Sequence, residues 1–160
     1  MKIRIFCVLF FFFAITRTAF SAGFIPGIYE VMQSGDSAKI NAALAELEQS
    51  AAKEKDAYKG TLLMQKSGML KSGMEKLSVF KQGRKLLETS IKQDSTNVEY
   101  RFLRLMIQEQ APDFLNYHSK KEADAKVIRT SFATLPVPLR EAIKNYSKNS
   151  RILKPEDFQK

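Results

Sequence analysis

The amino-acid sequence predicts an all-α protein built from antiparallel helical hairpins that stack into a short bundle or solenoid. Beyond residue 21, apolar residues recur three or four positions apart, as on one face of a helix, and no segment alternates as a strand does. Two sequences that begin at Thr96 and Ser119 have the capping-box pattern that marks helix starts, with glutamate three residues later. Short polar turns separate these segments, so we expect consecutive helices to pack as neighbours.

The first 21 residues are predicted to be a signal peptide. Lys2 precedes an uninterrupted apolar run of 11 residues, Ile5–Ile15. A membrane-spanning helix needs roughly 18 such residues, so the run favours export over stable anchoring. Small residues follow, and we expect cleavage after Ser21, with Gly23 as the second choice. One alternative is that the run is an internal apolar helix, and another is that it is not cleaved and holds the protein at the inner membrane.

Residues 22–160 are predicted to form one domain. The single cysteine, Cys7, lies in the signal segment, so the exported chain would depend on its core rather than on disulfides. A chain of that length buries roughly two-thirds of its unfolded surface, which is enough for one core. No glycine- or serine-rich linker divides it. Residues 148–160 are polar, and we expect this tail to fray.

Charge indicates a solvated helical surface. The formal net charge is +9 for the whole sequence, and 23 basic and 17 acidic residues remain beyond residue 21. The basic residues are mostly accompanied by acids, whereas a nucleic-acid surface would gather them on one face among aromatic residues. We therefore predict no nucleic-acid partner.

Each of the first three predicted helices has one apolar face. The expected positions are Ile40, Ala43, Leu44 and Leu47 for a helix capped by Asp36 or Ser37; Tyr58, Leu62 and Gln65 or Met69 for residues 55–69; and Leu77, Phe80, Leu87 and Ile91 for residues 75–93.

Three further segments complete the predicted order. The Thr96–Glu99 capping box starts a helix that Pro112 ends, and a short turn with Phe114 and Tyr117 follows. The Ser119–Glu122 capping box starts a helix to about residue 135. Its expected buried residues are Ala123, Val127, Ile128 and Phe132. Pro138 suits the first turn of a last helix through Tyr146, because the missing amide donor costs nothing there.

The third predicted helix also has a repeat-like pattern. It carries an aromatic residue at Phe80, small residues at Gly83 and Ser90, and a large apolar residue at Leu87. Ser95 occupies the position that ends the helix. This pattern resembles the second helix of a tetratricopeptide repeat (TPR), and Tyr58 and Gly60 give the preceding helix a looser likeness. The resemblance implies a degenerate TPR-like helical unit. The stretch RFLRLMIQEQAPDFL is similar to small exported proteins of Gram-negative Bacteroidota, which implies a periplasmic or envelope-associated location and no particular activity.

No catalytic, cofactor or metal site is predicted. His118 is the only histidine and lies just before a predicted helix start, where an ordinary boundary residue is expected. The sequence lacks the G-x-S-x-G nucleophile elbow, the zinc-binding H-E-x-x-H helix and the glycine-rich phosphate-binding loop. We therefore predict an exported, non-catalytic helical module that binds a protein or peptide in the cell envelope. The alternative is an enzyme of unrecognised type, or a small-ligand binder with a pocket between helices.

A polar seam on the predicted helix after Thr96 supplies the candidate site. Arg101, Arg104 and Gln108 fall within about 60° of one another on a helical wheel, while the remaining arc is mostly apolar. In one hypothesis the two guanidinium groups pair with Glu88 or Asp124 on neighbouring helices. In the other, the three seam residues bind a carboxylate of the partner, which suits the planar donors of arginine.

Overall fold

The computed structural model describes residues 27–159, and the predicted signal peptide lies outside them. This part of the chain contains seven α-helices, three short 3₁₀ turns and no strand, which confirms the all-α class. The helices are α1 (Ile28–Ser34), α2 (Ser37–Gln49), α3 (Lys55–Met69), α4 (Gly73–Gln93), α5 (Val98–Gln110), α6 (Lys121–Ser131) and α7 (Val137–Ser147).

α3 and α4 form a tightly packed antiparallel hairpin. Gly60 and Gly83 face each other at the crossing: a Cβ atom on Gly60 would lie 2.6 Å from the Gly83 carbonyl oxygen, and a Cβ on Gly83 2.5 Å from the Gly60 oxygen. Only glycine allows the two backbones to approach this closely. The hairpin fits the predicted helix pairing, and TPR-like stacking of further units stays a prediction.

α5 is the central helix, and it contacts α3, α4 and α6. Every residue from 102 to 108 is buried. The core around it takes fully buried side chains from the surrounding helices, including Leu47, Leu62, Leu87 and Ile128. A helix surrounded in this way has to be apolar on most faces, and each polar group that it buries is costly unless it is hydrogen-bonded.

Several predicted helix ends are confirmed. α3 has the bounds expected from its periodicity, and Pro138 lies in the first turn of α7. The Asp36 carboxylate caps α2 by accepting hydrogen bonds from the backbone amides of Ala38 and Lys39, at 2.8 and 3.3 Å. A short helix that the periodicity did not predict, α1, precedes it and ends at Gly35, whose φ of 62° suits glycine.

The first predicted capping box is wrong. Asn97, not Thr96, caps α5, and its side chain accepts from the Tyr100 amide at 3.2 Å. The Thr96 hydroxyl instead donates to Asp94. Glu99 does not reach back to the cap because it accepts hydrogen bonds from two tyrosines of other helices.

The second predicted capping box is also wrong. α6 begins at Lys121, and no side chain caps it. It ends at Ser131, where a 3₁₀ turn follows, rather than near residue 135. Ala123 is exposed and Asp124 is buried in its place, because two arginines of α5 meet Asp124 on the inward face of α6.

Two other expectations about burial are corrected. Leu77 was expected on the buried face of its helix, but it is 40% exposed. The carboxyl-terminal segment was expected to fray, but Leu153 and Phe158 are buried in the core. Asp157 accepts a hydrogen bond from Arg129 Nε at 2.8 Å. Two apolar anchors and an ion pair therefore hold the segment to the helices.

Candidate functional site

The predicted seam residues Arg101 and Arg104 converge on one buried carboxylate. Arg104 donates from Nε to Asp124 Oδ2 and from Nη2 to Asp124 Oδ1, both at 2.7 Å. Arg101 Nη1 donates to Asp124 Oδ1 at 3.0 Å, and its other donors bind the Ser95 carbonyl oxygen. Asp124 has no exposed surface, so the two guanidinium groups replace the water that the carboxylate lost.

The ion-pair cluster continues to α4. Arg104 Nη1 donates to Glu88 Oε2 at 3.0 Å, and the Tyr117 hydroxyl donates to Glu88 Oε1 at 2.7 Å. Burial would lower the pKa of Arg104, but the hydrogen bonds and charges of Asp124 and Glu88 outweigh it and raise the pKa. The pKa of Tyr117 is also raised, by burial and then by Glu88.

Gln108, the third predicted site residue, is buried, and its Oε1 atom has no hydrogen-bond partner in the part of the chain that the structure describes. Both acids named as candidate partners of the arginines are their partners here. These contacts favour the first hypothesis, in which the seam fixes how α4, α5 and α6 pack. Within the seam, the side chains of Arg104 and Gln108 are buried, and 21% of the Arg101 side chain remains exposed.

Two glutamates of α5 accept hydrogen bonds from other elements of the structure. Glu99 accepts hydrogen bonds from the Tyr29 and Tyr58 hydroxyls, which lie on α1 and α3. Burial raises the pKa of Glu99; the tyrosine hydrogen bonds oppose this rise, and the charge of Glu54 adds to it. Glu109 accepts from the Tyr146 hydroxyl at 2.8 Å and from the Arg151 amide at 2.7 Å, which ties the carboxyl-terminal segment to the core.

A surface groove lies where α3 ends, α4 begins and α5 ends. Its volume is about 480 Å³, and its lining is mostly apolar. We call it the apolar groove and define it by Met64, Leu77, Phe80, Ile107, Phe114 and Leu115. The 3₁₀ turn at Asp113–Leu115, which follows Pro112, places Phe114 on its rim.

Large apolar side chains remain exposed at this end of the molecule. Phe114 is 79% exposed, and Met74, in the first turn of α4, is 85% exposed. Leu77 and Met69 are also exposed. Isolated exposed apolar residues are common, but a contiguous group beside a concave surface is typical of an interaction site.

The groove is continued by a second, shallower depression. Gln65 and Gln110 line both, and the second depression extends toward Met32 of α1 with a volume of about 330 Å³. Gln65 Nε2 donates to the Met32 carbonyl oxygen at 2.7 Å and holds the wall between them. The concave surface is therefore longer than the apolar groove alone.

One charged residue lines the apolar groove among the described residues. This residue is Lys76, in the first turn of α4, and it forms no ion pair with the described residues. Asp113 precedes Phe114 but is not part of the lining, and its side chain is fully exposed. Its nearest cationic candidate, His118 Nε2, is 3.9 Å away.

Few polar groups line the apolar groove. It contains no carboxylate, imidazole or thiol, and its polar groups are amides, a hydroxyl and the Lys76 ammonium group. Within residues 27–159, no three His, Cys, Asp or Glu side chains are arranged to hold a metal ion. In the same range, none of the helices combines the length and apolar character needed to cross a membrane.

Sequence reasoning missed the apolar groove because its walls come from separate segments. One local signal was present: Met69, Met74 and Leu77 lie in or next to a glycine- and serine-rich turn, where apolar residues have no core to enter. Comparison with protein-family models, curated proteins and solved structures finds no match to this chain.

Proposed function

We propose that this protein is an exported, non-catalytic helical module that binds a protein or peptide partner in the cell envelope. The observation that carries the proposal is the apolar groove with its exposed rim. Phe114 and Leu77 remain in water beside a concave apolar surface of about 480 Å³. Covering such side chains gains roughly 25 cal/mol per Å² of apolar area removed from water.

The shape of the surface favours an elongated partner. The apolar groove and the neighbouring depression share the wall formed by Gln65 and Gln110, so a ligand that fills both would extend past several helix ends. Peptides bind such surfaces as amphipathic helices that place an apolar face in the groove. Export and an envelope location rest on the predicted signal peptide at residues 1–21.

A small apolar ligand is the second candidate. The volume of the apolar groove lies within the roughly 300–1,000 Å³ typical of small-molecule sites, and Lys76 would offer a cation to an acidic head group. Native mass spectrometry of the purified protein tests this candidate, since a retained small molecule would appear as an added mass that unfolding removes.

Site-specific crosslinking in intact cells tests the main proposal. A photoreactive amino acid at Leu77 or Phe114 should give adducts with a distinct envelope protein. The same amino acid at Lys126, exposed on α6, is the matched control and should give none. Adducts with cytosolic proteins alone would contradict the location. Equal adducts from all three positions would contradict a role for the groove.

Intact mass spectrometry tests export separately. The mature chain should begin at Ala22, or at Phe24 if the second cleavage site is used. A protein that still begins at Met1 in the envelope fraction would contradict cleavage.

A further inference from the structure

We infer that the apolar groove takes an amphipathic helix of the partner that carries acidic residues along the edge facing α4. This inference rests on the proposed function and adds the chemistry of the partner. It comes from the Lys76 ammonium group, which lines the apolar groove and forms no ion pair within residues 27–159.

The apolar part of the surface accounts for one face of the partner helix. Leu77 and Phe80 lie one turn apart on the α4 wall, and Phe114 lies on the opposite side. A helix between the walls would contact both through apolar residues at positions i, i+3, i+4 and i+7. Its remaining polar edges would then lie next to the two rims.

The α4 rim is positive. Lys76 is the charged residue that the described chain places in the lining. Gly73 also lines the groove, so the amino end of α4 adds partial positive charge at the same rim. Lys71 and Glu75 are exposed nearby along the chain, but neither is part of the lining.

The positive charge of Lys76 would set the orientation of the partner helix. A helix with an acidic edge toward Lys76 matches this charge, whereas a basic edge there would place like charges together. Exposed ion pairs contribute little affinity, so we expect Lys76 mainly to select the orientation and sequence of the partner.

Selection from a library of helical peptides tests the inference. The probes are peptides of about 15 residues, the length at which isolated helices become stable, with leucine at i, i+3, i+4 and i+7 and other positions randomised. They are selected on the full-length protein. Fluorescence anisotropy then gives the Kd of enriched peptides for the unaltered protein, Lys76→Glu and Leu77→Asp. Lys126→Glu, the same charge change on exposed α6, is the matched control.

We expect enriched peptides to carry an excess of acids on one polar edge. Lys76→Glu should weaken their binding about tenfold, Leu77→Asp should abolish it, and Lys126→Glu should change Kd less than about twofold. Circular dichroism on each variant shows whether the fold is retained.

Two results would overturn the inference in distinguishable ways. If enriched peptides depend on Leu77 but show no acidic excess, or bind Lys76→Glu as well as the unaltered protein, the charge assignment is wrong and the proposed function stands. If no peptide depends on Leu77, both the inference and binding of a peptide in the apolar groove are contradicted.

Discussion

Arg104 and Asp124 form a bidentate ion pair inside the protein. Nε and Nη2 of the guanidinium group each donate to a different carboxylate oxygen at 2.7 Å. The two residues belong to α5 and α6, and Asp124 has no exposed surface. Burial of an ion pair is costly in itself, but once the fold has formed, loss of one partner leaves an uncompensated charge. The pair therefore acts chiefly to specify how α6 docks on α5.

Arg104→Ala should lower the free energy of unfolding by about 3–5 kcal/mol, because Asp124 would keep only its contact with Arg101. Arg101→Ala should cost less, about 1–2 kcal/mol, since its side chain is 21% exposed. Urea denaturation of the two variants measures the difference. Lys126→Ala, an exposed position on α6, is the control. Equal, small losses from both arginine variants would contradict a buried ion pair.

Glu99→Gln should change how stability depends on pH. Burial raises the pKa of Glu99 above its ordinary 4.5, so the folded chain holds this proton more tightly than the unfolded chain. As pH rises from about 4.5 through the raised value, ionisation of Glu99 therefore lowers stability. Glutamine cannot ionise, so the variant should gain stability relative to the unaltered protein over that window.

Thermal unfolding of both proteins between pH 4 and 8 measures this trend. Glu122→Gln, at an exposed position on α6, is the matched control and should follow the unaltered protein. Parallel pH profiles for Glu99→Gln and the unaltered protein would show that Glu99 is solvated, contrary to its contacts with Tyr29 and Tyr58.

Gly60→Ala and Gly83→Ala should each destabilise the protein although alanine favours helices. The added methyl group would meet backbone atoms of the facing helix at 2.6 Å or less, so α3 and α4 would have to separate. We expect a loss of about 1–3 kcal/mol, as is typical of overpacked cores.

Gly68→Ala on α3 separates this steric effect from helix propensity. A Cβ atom there meets nothing within 4 Å, so the substitution should stabilise the protein by about 0.5–1 kcal/mol. Chemical denaturation of the three variants measures these changes. A stabilised Gly60→Ala variant would mean that the hairpin is looser than described.

Phe158→Ala tests the docking of the carboxyl-terminal segment. The side chain is buried, and its ring packs beside that of Phe132 with the ring centroids 4.6 Å apart. Truncation should therefore cost about 3–5 kcal/mol. Val137→Ala, at an exposed position, should change stability by less than about 0.5 kcal/mol. A Phe158→Ala loss as small as that of the control would restore the expectation that residues 148–160 fray.

The order and type of the helices were largely predictable from local sequence. The apolar periodicity predicted α3 at its observed bounds, and Asp36 and Pro138 marked two helix starts correctly. The first capping box failed because a capping side chain depends on local contacts, and at Glu99 hydrogen bonds from tyrosines of two other helices prevailed over them.

The candidate site was only partly predictable. Helical spacing placed Arg101 and Arg104 on one side of α5, because residues about one turn apart share a side. The two acids expected as their partners, Glu88 and Asp124, are their partners in the structure. Helical spacing alone did not determine whether the side of α5 that carries these arginines would be buried. Burial depends on which helix packs against it, and here α6 supplies Asp124 to the seam.

The sequence by itself determined that the chain is helical, where most of its helices lie and which residues share a helix face, since these follow from neighbours within one or two turns. Only the tertiary structure decided which polar groups are buried and which apolar groups remain in water. Leu77 comes together with Ile107 and Phe114, which are distant from it in sequence. Leu77 and Phe114 stay exposed because no helix covers that end of the molecule among residues 27–159. Desolvation depends on every neighbour in space, and local periodicity reports only neighbours along the chain.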